Sequence, residues 1–171
     1  MNVNKRLTRL SVLFIILCNI GCDQISKTIV RNEVGYYENI KVLVDNITLT
    51  KVENSGAFLS MGSFLPAFMK IALLIVLPLM VMLTGMYYIL VKEKLSRLMV
   101  FGSAFIIGGG IGNLYDRILF GSVTDFLHID FVIFQTGIFN MADVSIMSGM
   151  LLILISVYRN KIRLPVSQIS D

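Results

Sequence analysis

The sequence has no tryptophan, three prolines, two cysteines and a single histidine, and only 15% of its residues are charged. Each scarcity removes a class of protein. Cys18 and Cys22 both fall in the first apolar run, and their spacing suggests neither a disulfide framework nor a zinc site. His128 stands in an apolar stretch with no second His or Cys nearby, which argues against a metal centre. A Ser-His hydrolase would have to be built on His128 alone, and no G-x-S-x-G elbow occurs. Without low-complexity tracts, long linkers or repeats, residues 1–171 read as one domain. The net charge of +4 does not suggest a nucleic-acid partner, because Lys and Arg sit in short clusters beside apolar runs and form no basic stripe.

What is abundant is apolar surface: 56% of residues are hydrophobic and the mean hydropathy is +0.79. Bunched into long runs, this is the composition of a chain written for lipid. Four runs, about 7–25, 66–91, 98–115 and 140–158, are long enough to span a bilayer. Between Ile71 and Val91 there is no charge, and Pro78 and Gly85 are tolerable in a membrane helix. The third run carries Gly102, Ser103, Ala104, Gly108, Gly109, Gly110 and Gly112. Lacking a flanking strand and a P-loop Lys, these glycines read as helix packing and not as a phosphate loop.

Orientation follows from the cationic clusters Lys5, Arg6 and Arg9, then Lys92, Lys94 and Arg97, then Arg159, Lys161 and Arg163. The positive-inside rule puts all three, and both termini, in the cytoplasm, leaving residues 27–70 and 116–139 outside. In the first outer loop Ile40, Val42 and Val44 alternate, Asn46 marks a turn, and Ile47, Leu49 and Val52 follow, which predicts a small β hairpin or sheet on the membrane surface within about 36–60. The second loop, with Phe126, Leu127, Ile129, Phe131, Val132, Ile133 and Phe134, is expected to lie along the membrane interface. The fold expected is therefore membrane all-α: a four-transmembrane-helix bundle with a small extramembrane β-sheet on its outer face.

An ionisable side chain in a span costs about 2.5–3.5 kcal/mol on insertion scales, so each one needs a reason. Asp23, Lys27, Asp116, Arg117, Asp125 and Asp143 all converge on the outer end. Asp23 and Lys27 have the i,i+4 spacing of an ion pair, and anchoring span one is favoured over catalysis. Asn113 and Arg117 share a helix face, with Asp116 off it. Arg117 could pair with a carboxylate or hold a substrate carbonyl by its fork of donors, and both roles stay open. Asp125 and Asp143 are the candidate catalytic pair: two carboxyls within reach cannot both ionise easily, so one remains an acid while the other acts as base on water. A helix N-terminus would favour charge on Asp143, although spacing alone makes it an ordinary N-terminal helix acid.

Three other readings compete. The basic start followed by Asn19-Ile20-Gly21-Cys22 is similar to a lipoprotein cleavage site, but Asn19 is a poor fit there. A proton-coupled carrier or channel would need a polar path onward to the cytoplasm. A lipid-binding scaffold leaves the paired aspartates unexplained.

Five motifs decide among these: Asp23-Gln24-x-x-Lys27, Asn54-x-Gly56-Ala57, Gly112-Asn113-x-x-Asp116-Arg117, Gly121-x-Val123-x-Asp125-Phe126 and Phe139-Asn140-x-Ala142-Asp143. In this order and spacing, over nearly the whole chain, the sequence resembles the lipoprotein signal peptidase (signal peptidase II) family. The resemblance implies a catalytic dyad of Asp125 and Asp143, with Asn54, Asn113, Arg117 and Asn140 lining the site around the substrate backbone. It implies cutting of diacylglyceryl-modified prolipoproteins just before the lipid-bearing Cys, without metal or organic cofactor, and a small β cradle outside the membrane. Asp23, Lys27 and Asp116 are then structural support. The expected setting is the bacterial cytoplasmic (inner) membrane, with membrane lipids as partners, the site toward the outer face and the protein a monomer. One departure is local: Phe58 comes one place earlier than in the family's usual Asn-x-Gly-Ala-Ala-Phe-Gly.

Overall fold

The computed structural model describes residues 5–42, 46–57, 60–92, 95–131 and 133–162. Val44, Phe58, Lys94, Val132 and Arg163, used in the reading above, lie outside these. The chain runs α1 (Lys5–Glu33), β1 (Ile40–Lys41), β2 (Ile47–Asn54), α2 (Ala67–Ile71), a π-helical turn (Ala72–Val76), α3 (Leu77–Val91), α4 (Arg97–Phe120), β3 (Val123–Ile129) and α5 (Met141–Ile162). Four helical stretches, Arg9–Glu33, Ala67–Val91, Arg97–Phe120 and Met141–Lys161, are long and apolar enough to cross a membrane.

Helix α4 is the axis of the bundle and packs most extensively on α5 and α1. Its small residues allow this: a Cβ at Gly109 would meet the carbonyl oxygen of Ala142 on α5, and one at Gly112 would come within 2.5 Å of Asp23 Oδ2 on α1. Val12 and Ile16 of α1 close against Val100, Ala104 and Ile107 of α4 to form the buried apolar core. The second span is peripheral. Pro78 has no N–H to return to the preceding turn, and the backbone just before it runs as the π turn. Only Met82 of α3 is buried, with its sulfur where a Cβ at Gly110 would be.

Helix α1 extends well past the predicted end near Ile25. At 29 residues it exceeds the roughly 20 a bilayer core needs, and its extra turns carry Lys27 to Asn113 and Asp116 of α4 and Val30 and Arg31 to the sheet, with Val34 just past the helix end. The sheet has order β1-β2-β3, all antiparallel. The hairpin of β1 and β2 is as predicted, with Ile40 opposite Leu49. The second outer loop, expected along the interface, has a first part that forms β3, with Asp125 opposite Val52 and Val123 opposite Asn54. Phe126 is buried against Val30 and Val34. The physical reason is that α1 outlasts the membrane and offers an apolar face that β3 can cover.

Candidate active site

Three chain junctions assemble the site. Helix α4 ends at Gly121, whose left-handed φ of 74° lets its N–H close on the Arg117 carbonyl, and β3 starts two residues later. Strand β2 ends at Asn54 beside it. The entry to α5 is pinned to β3, with Phe139 O accepting from the Phe126 and Leu127 N–H groups at 3.0 and 2.8 Å. Asn140 and Asp143 are thereby carried to Asp125.

At the helix start Asn140 and Asp143 hold each other. Asn140 Oδ1 accepts from Asp143 N at 3.0 Å, and Asp143 Oδ2 accepts from Asn140 N at 3.1 Å, a capping box with Asp in the acidic place. The helix-acid reading of Asp143 is therefore correct as far as it goes. Its other oxygen, Oδ1, accepts from Asn113 Nδ2 at 2.9 Å. Asp125, 5% exposed, is gripped from both sides: Asn54 Nδ2 donates to Oδ2 at 2.9 Å and Asn140 Nδ2 to Oδ1 at 2.6 Å. Burial pushes its carboxyl up to about 6, aided by the charge of Asp143 and opposed by the amide donors.

Arg117, left open between two roles, donates to two backbone carbonyls, Gly56 O at 3.0 Å and Asn113 O at 3.5 Å. Its buried Nε has no partner. It therefore holds the loop after Asn54 against α4. Asn54 shapes that loop as well, with Gly56 N donating to its Oδ1 and its Nδ2 donating to Ala57 O, both at 3.0 Å.

Behind the pair lies a buried ion network. Lys27 Nζ sits 2.8 Å from Asp23 Oδ2, 2.9 Å from Asp116 Oδ2 and 2.9 Å from Asn113 Oδ1. The three protons of an ammonium are matched to three acceptors. Asp23 Oδ1 also accepts from Ala142 N at 2.9 Å, which ties α1 to the first turn of α5. The sequence reading missed two members, Arg31 and Glu53, and named Gln24 in a motif without giving it a contact. Arg31 pairs with Asp116 at 2.9 Å and donates from Nε to Thr124 Oγ1 at 2.8 Å. Glu53 accepts from Ser122 and Thr124, and Gln24 Nε2 reaches Asp116 Oδ1 at 3.1 Å. The signal for Arg31 was present: Asp23, Lys27 and Arg31 recur every fourth residue, one face of a helix.

Fold and site define a multi-span membrane protein with two carboxylates caged by amides at one end of the bundle. Residues 15–159 match the family model described as signal peptidase (SPase) II, and the chain belongs to that family of membrane peptidases. It is 31% identical over 148 residues to a lipoprotein signal peptidase of Clostridium novyi, covering 86% of this chain and 97% of the relative. To that of Streptococcus pneumoniae it is 32% identical over 154 residues, covering 90% and 96%. To that of Gloeobacter violaceus it is 35% identical over 147 residues, covering 85% and 80%. Its fold resembles a bacterial membrane enzyme solved at 2.3 Å, with a TM-score of 0.81 over 94% of both chains at 21% identity.

Proposed function

We propose that this signal peptidase II family member cuts diacylglyceryl-modified prolipoproteins before the lipid-bearing Cys, using Asp125 and Asp143 as an aspartic dyad. The single observation that carries the reading is the caging of these two carboxyls by Asn54, Asn113 and Asn140, with one of them raised to about 6. Such a pair holds a water between an acid and a base. Asp125, desolvated and beside a second carboxylate, keeps the proton and polarises the scissile carbonyl. Asp143, in the first turn of a helix and facing a backbone N–H, takes the proton of the attacking water. The Asp143 proton then passes to the leaving amine. Metal and organic cofactor have no step in this scheme.

In this reading the acyl chains stay in the bilayer, so the scissile bond is held at the interface by the substrate's own lipid. Arg117 and Asn113 line the approach, and the unpartnered Arg117 Nε is a free donor for a substrate carbonyl. The site opens on the outer face, the termini are cytoplasmic, and the protein acts as a monomer. Below the dyad Asn19 pairs with Ser145 and Ser96 with Ser156, contacts between helices that share no residue, which lends the carrier alternative little support.

The test is cleavage of a lipid-modified and an unmodified precursor by purified protein in lipid. Wild type is expected to cut only the modified form, with or without chelator. Asp125→Asn and Asp143→Asn, each folded and membrane-inserted, are expected to cut neither, and the double variant to be scarcely worse than either single one. Near-normal turnover in either single variant sinks the aspartic mechanism.

A further inference from the structure

We infer that Lys27 is a positioning residue for the reaction: by donating to the amide oxygen of Asn113 it turns that amide's NH2 toward Asp143. The inference rests on the dyad reading above.

A side-chain amide has two nearly equivalent ends, and something must decide which faces the carboxylate. For two of the three site asparagines the decision is made by backbone. Gly56 N–H can only donate, so the atom of Asn54 that meets it is the oxygen, and the NH2 is left for Asp125. Asp143 N–H does the same for Asn140. For Asn113 the fixed donor is a side chain. Lys27 has three donors and no acceptor, and its Nζ lies 2.9 Å from Asn113 Oδ1 while Asn113 Nδ2 lies 2.9 Å from Asp143 Oδ1. Asn140 Nδ2 adds a weaker contact to the same oxygen at 3.2 Å, but its shorter bond goes to Asp125 at 2.6 Å.

Lys27 is itself immobile. It is 0% exposed, and Asp23 and Asp116 take its other two protons. Remove the ammonium, and the Asn113 amide is free to flip, presenting oxygen to oxygen at Asp143. That removes the hydrogen bond which holds the Asp143 carboxylate in place. The charged groups around Asp143 are Asp125 from β3, Arg117 and Asp116 from α4, and Lys27 and Asp23 from α1. Removing Lys27 together with the charge of Asp23 leaves the net field nearly unchanged, so the direction of the amide is what remains to be read.

The test is therefore Lys27→Met combined with Asp23→Asn, against wild type, whose net charge it keeps, and against Lys27→Gln combined with Asp23→Asn, which differs from it in a donor and not in charge. The new amide at position 23 still offers an oxygen to Ala142 N–H, and Asp116 keeps Arg31 and Gln24. With thermal midpoints matched, kcat is expected to fall about ten-fold or more with little change in KM, the worth of one lost charge-assisted hydrogen bond. Lys27→Gln in the same background, which can still donate, recovers a large part of the rate. On an Asn113→Ala background the Lys27 change costs less than about two-fold further, because its route is already cut. If the Met variant does not fold, the Gln variant is read on both backgrounds instead. Equal losses on both backgrounds, or no recovery of rate by Gln, overturn the inference. That outcome leaves the dyad standing so long as Asp125→Asn and Asp143→Asn remain inactive in the same assay, so the two failures are distinguishable.

Discussion

The three asparagines of the site differ in which carboxyl they serve, and this separates their effects on pH dependence. Asn54 gives its NH2 to Asp125, the group whose proton the proposed mechanism needs. A donor to a carboxylate stabilises the ionised form, so Asn54→Ala favours the protonated one. The basic limb of kcat/KM, set by loss of the Asp125 proton from about 6 upward, is expected to move to higher pH. The rate itself falls on the order of 10- to 100-fold, the worth of one hydrogen bond to a charged group. A pH profile of the purified variant checks both, and a limb moving to lower pH would remove Asp125 from the acid's role. At this scale the sequence was legible where residue type and chemistry coincide. Asp125 and Asp143 stood out as ionisable groups beside apolar runs, and the Asp23–Lys27 pair lies where its spacing put it. Illegible were the orienting contacts, since no spacing says that Asp143 both closes the α5 capping box and faces Asn113.

At the scale of elements, α4 holds the site together through residues chosen for size, and two of its glycines make a contrast. A Cβ at Gly110 meets Met82 Sδ, and one at Gly112 meets Asp23 Oδ2, each at 2.5 Å. Met82 is flexible and sits on the loosely packed second span, so it can move aside. Asp23 is held by Lys27 and by Ala142 N–H and cannot. Gly112→Ala is therefore expected to cost about 1–3 kcal/mol as overpacking and to reduce activity, while Gly110→Ala costs less and leaves activity near normal. Thermal midpoints and cleavage rates of the two variants make the comparison, and equal losses would contradict it. Asp116→Asn belongs with the first: it leaves Lys27 and Arg31 short of a shared acceptor, and removing one partner of a buried pair costs about 3–5 kcal/mol. Its effect is expected first in yield and melting temperature. The same scale shows why β3 was hidden. Val123, Thr124, Asp125 and Phe126 are all buried, because α1 covers one face and the site the other, and a strand covered on both faces shows no alternation. The hairpin showed it in the sequence, through Ile40 and Val42, then Ile47 and Leu49.

At the scale of the whole molecule, charge supports the proposed orientation, with the site end facing outward. The four spans alternate, so Arg9 at the start of α1, Lys92 after α3, Arg97 at the start of α4, and Arg159 and Lys161 at the end of α5 share one end of the bundle. The sheet and the two carboxylates occupy the other. Cations are present at that second end too, but Lys27 and Arg31 are spent on buried carboxylates and Arg117 and Lys51 on backbone carbonyls, and the other two, Lys41 and Lys70, are outnumbered by the five of the first end. The positive-inside rule then puts the site end outside. The check is cysteine labelling in intact cells, on a background where Cys18 and Cys22, exposed along α1, are replaced by Ala. A Cys at exposed Gly121 is unsuitable because that residue needs its left-handed φ; Tyr37 also has a positive φ. Ile133, 96% exposed in the loop after β3, is the better outer position. An Ile133→Cys variant is expected to react with a membrane-impermeant maleimide without lysis, and a Lys161→Cys variant only after the membrane is opened. Reaction of the second in intact cells would invert the topology and put the proposed site on the cytoplasmic side, where a peptidase acting on translocated precursors could not meet its substrate.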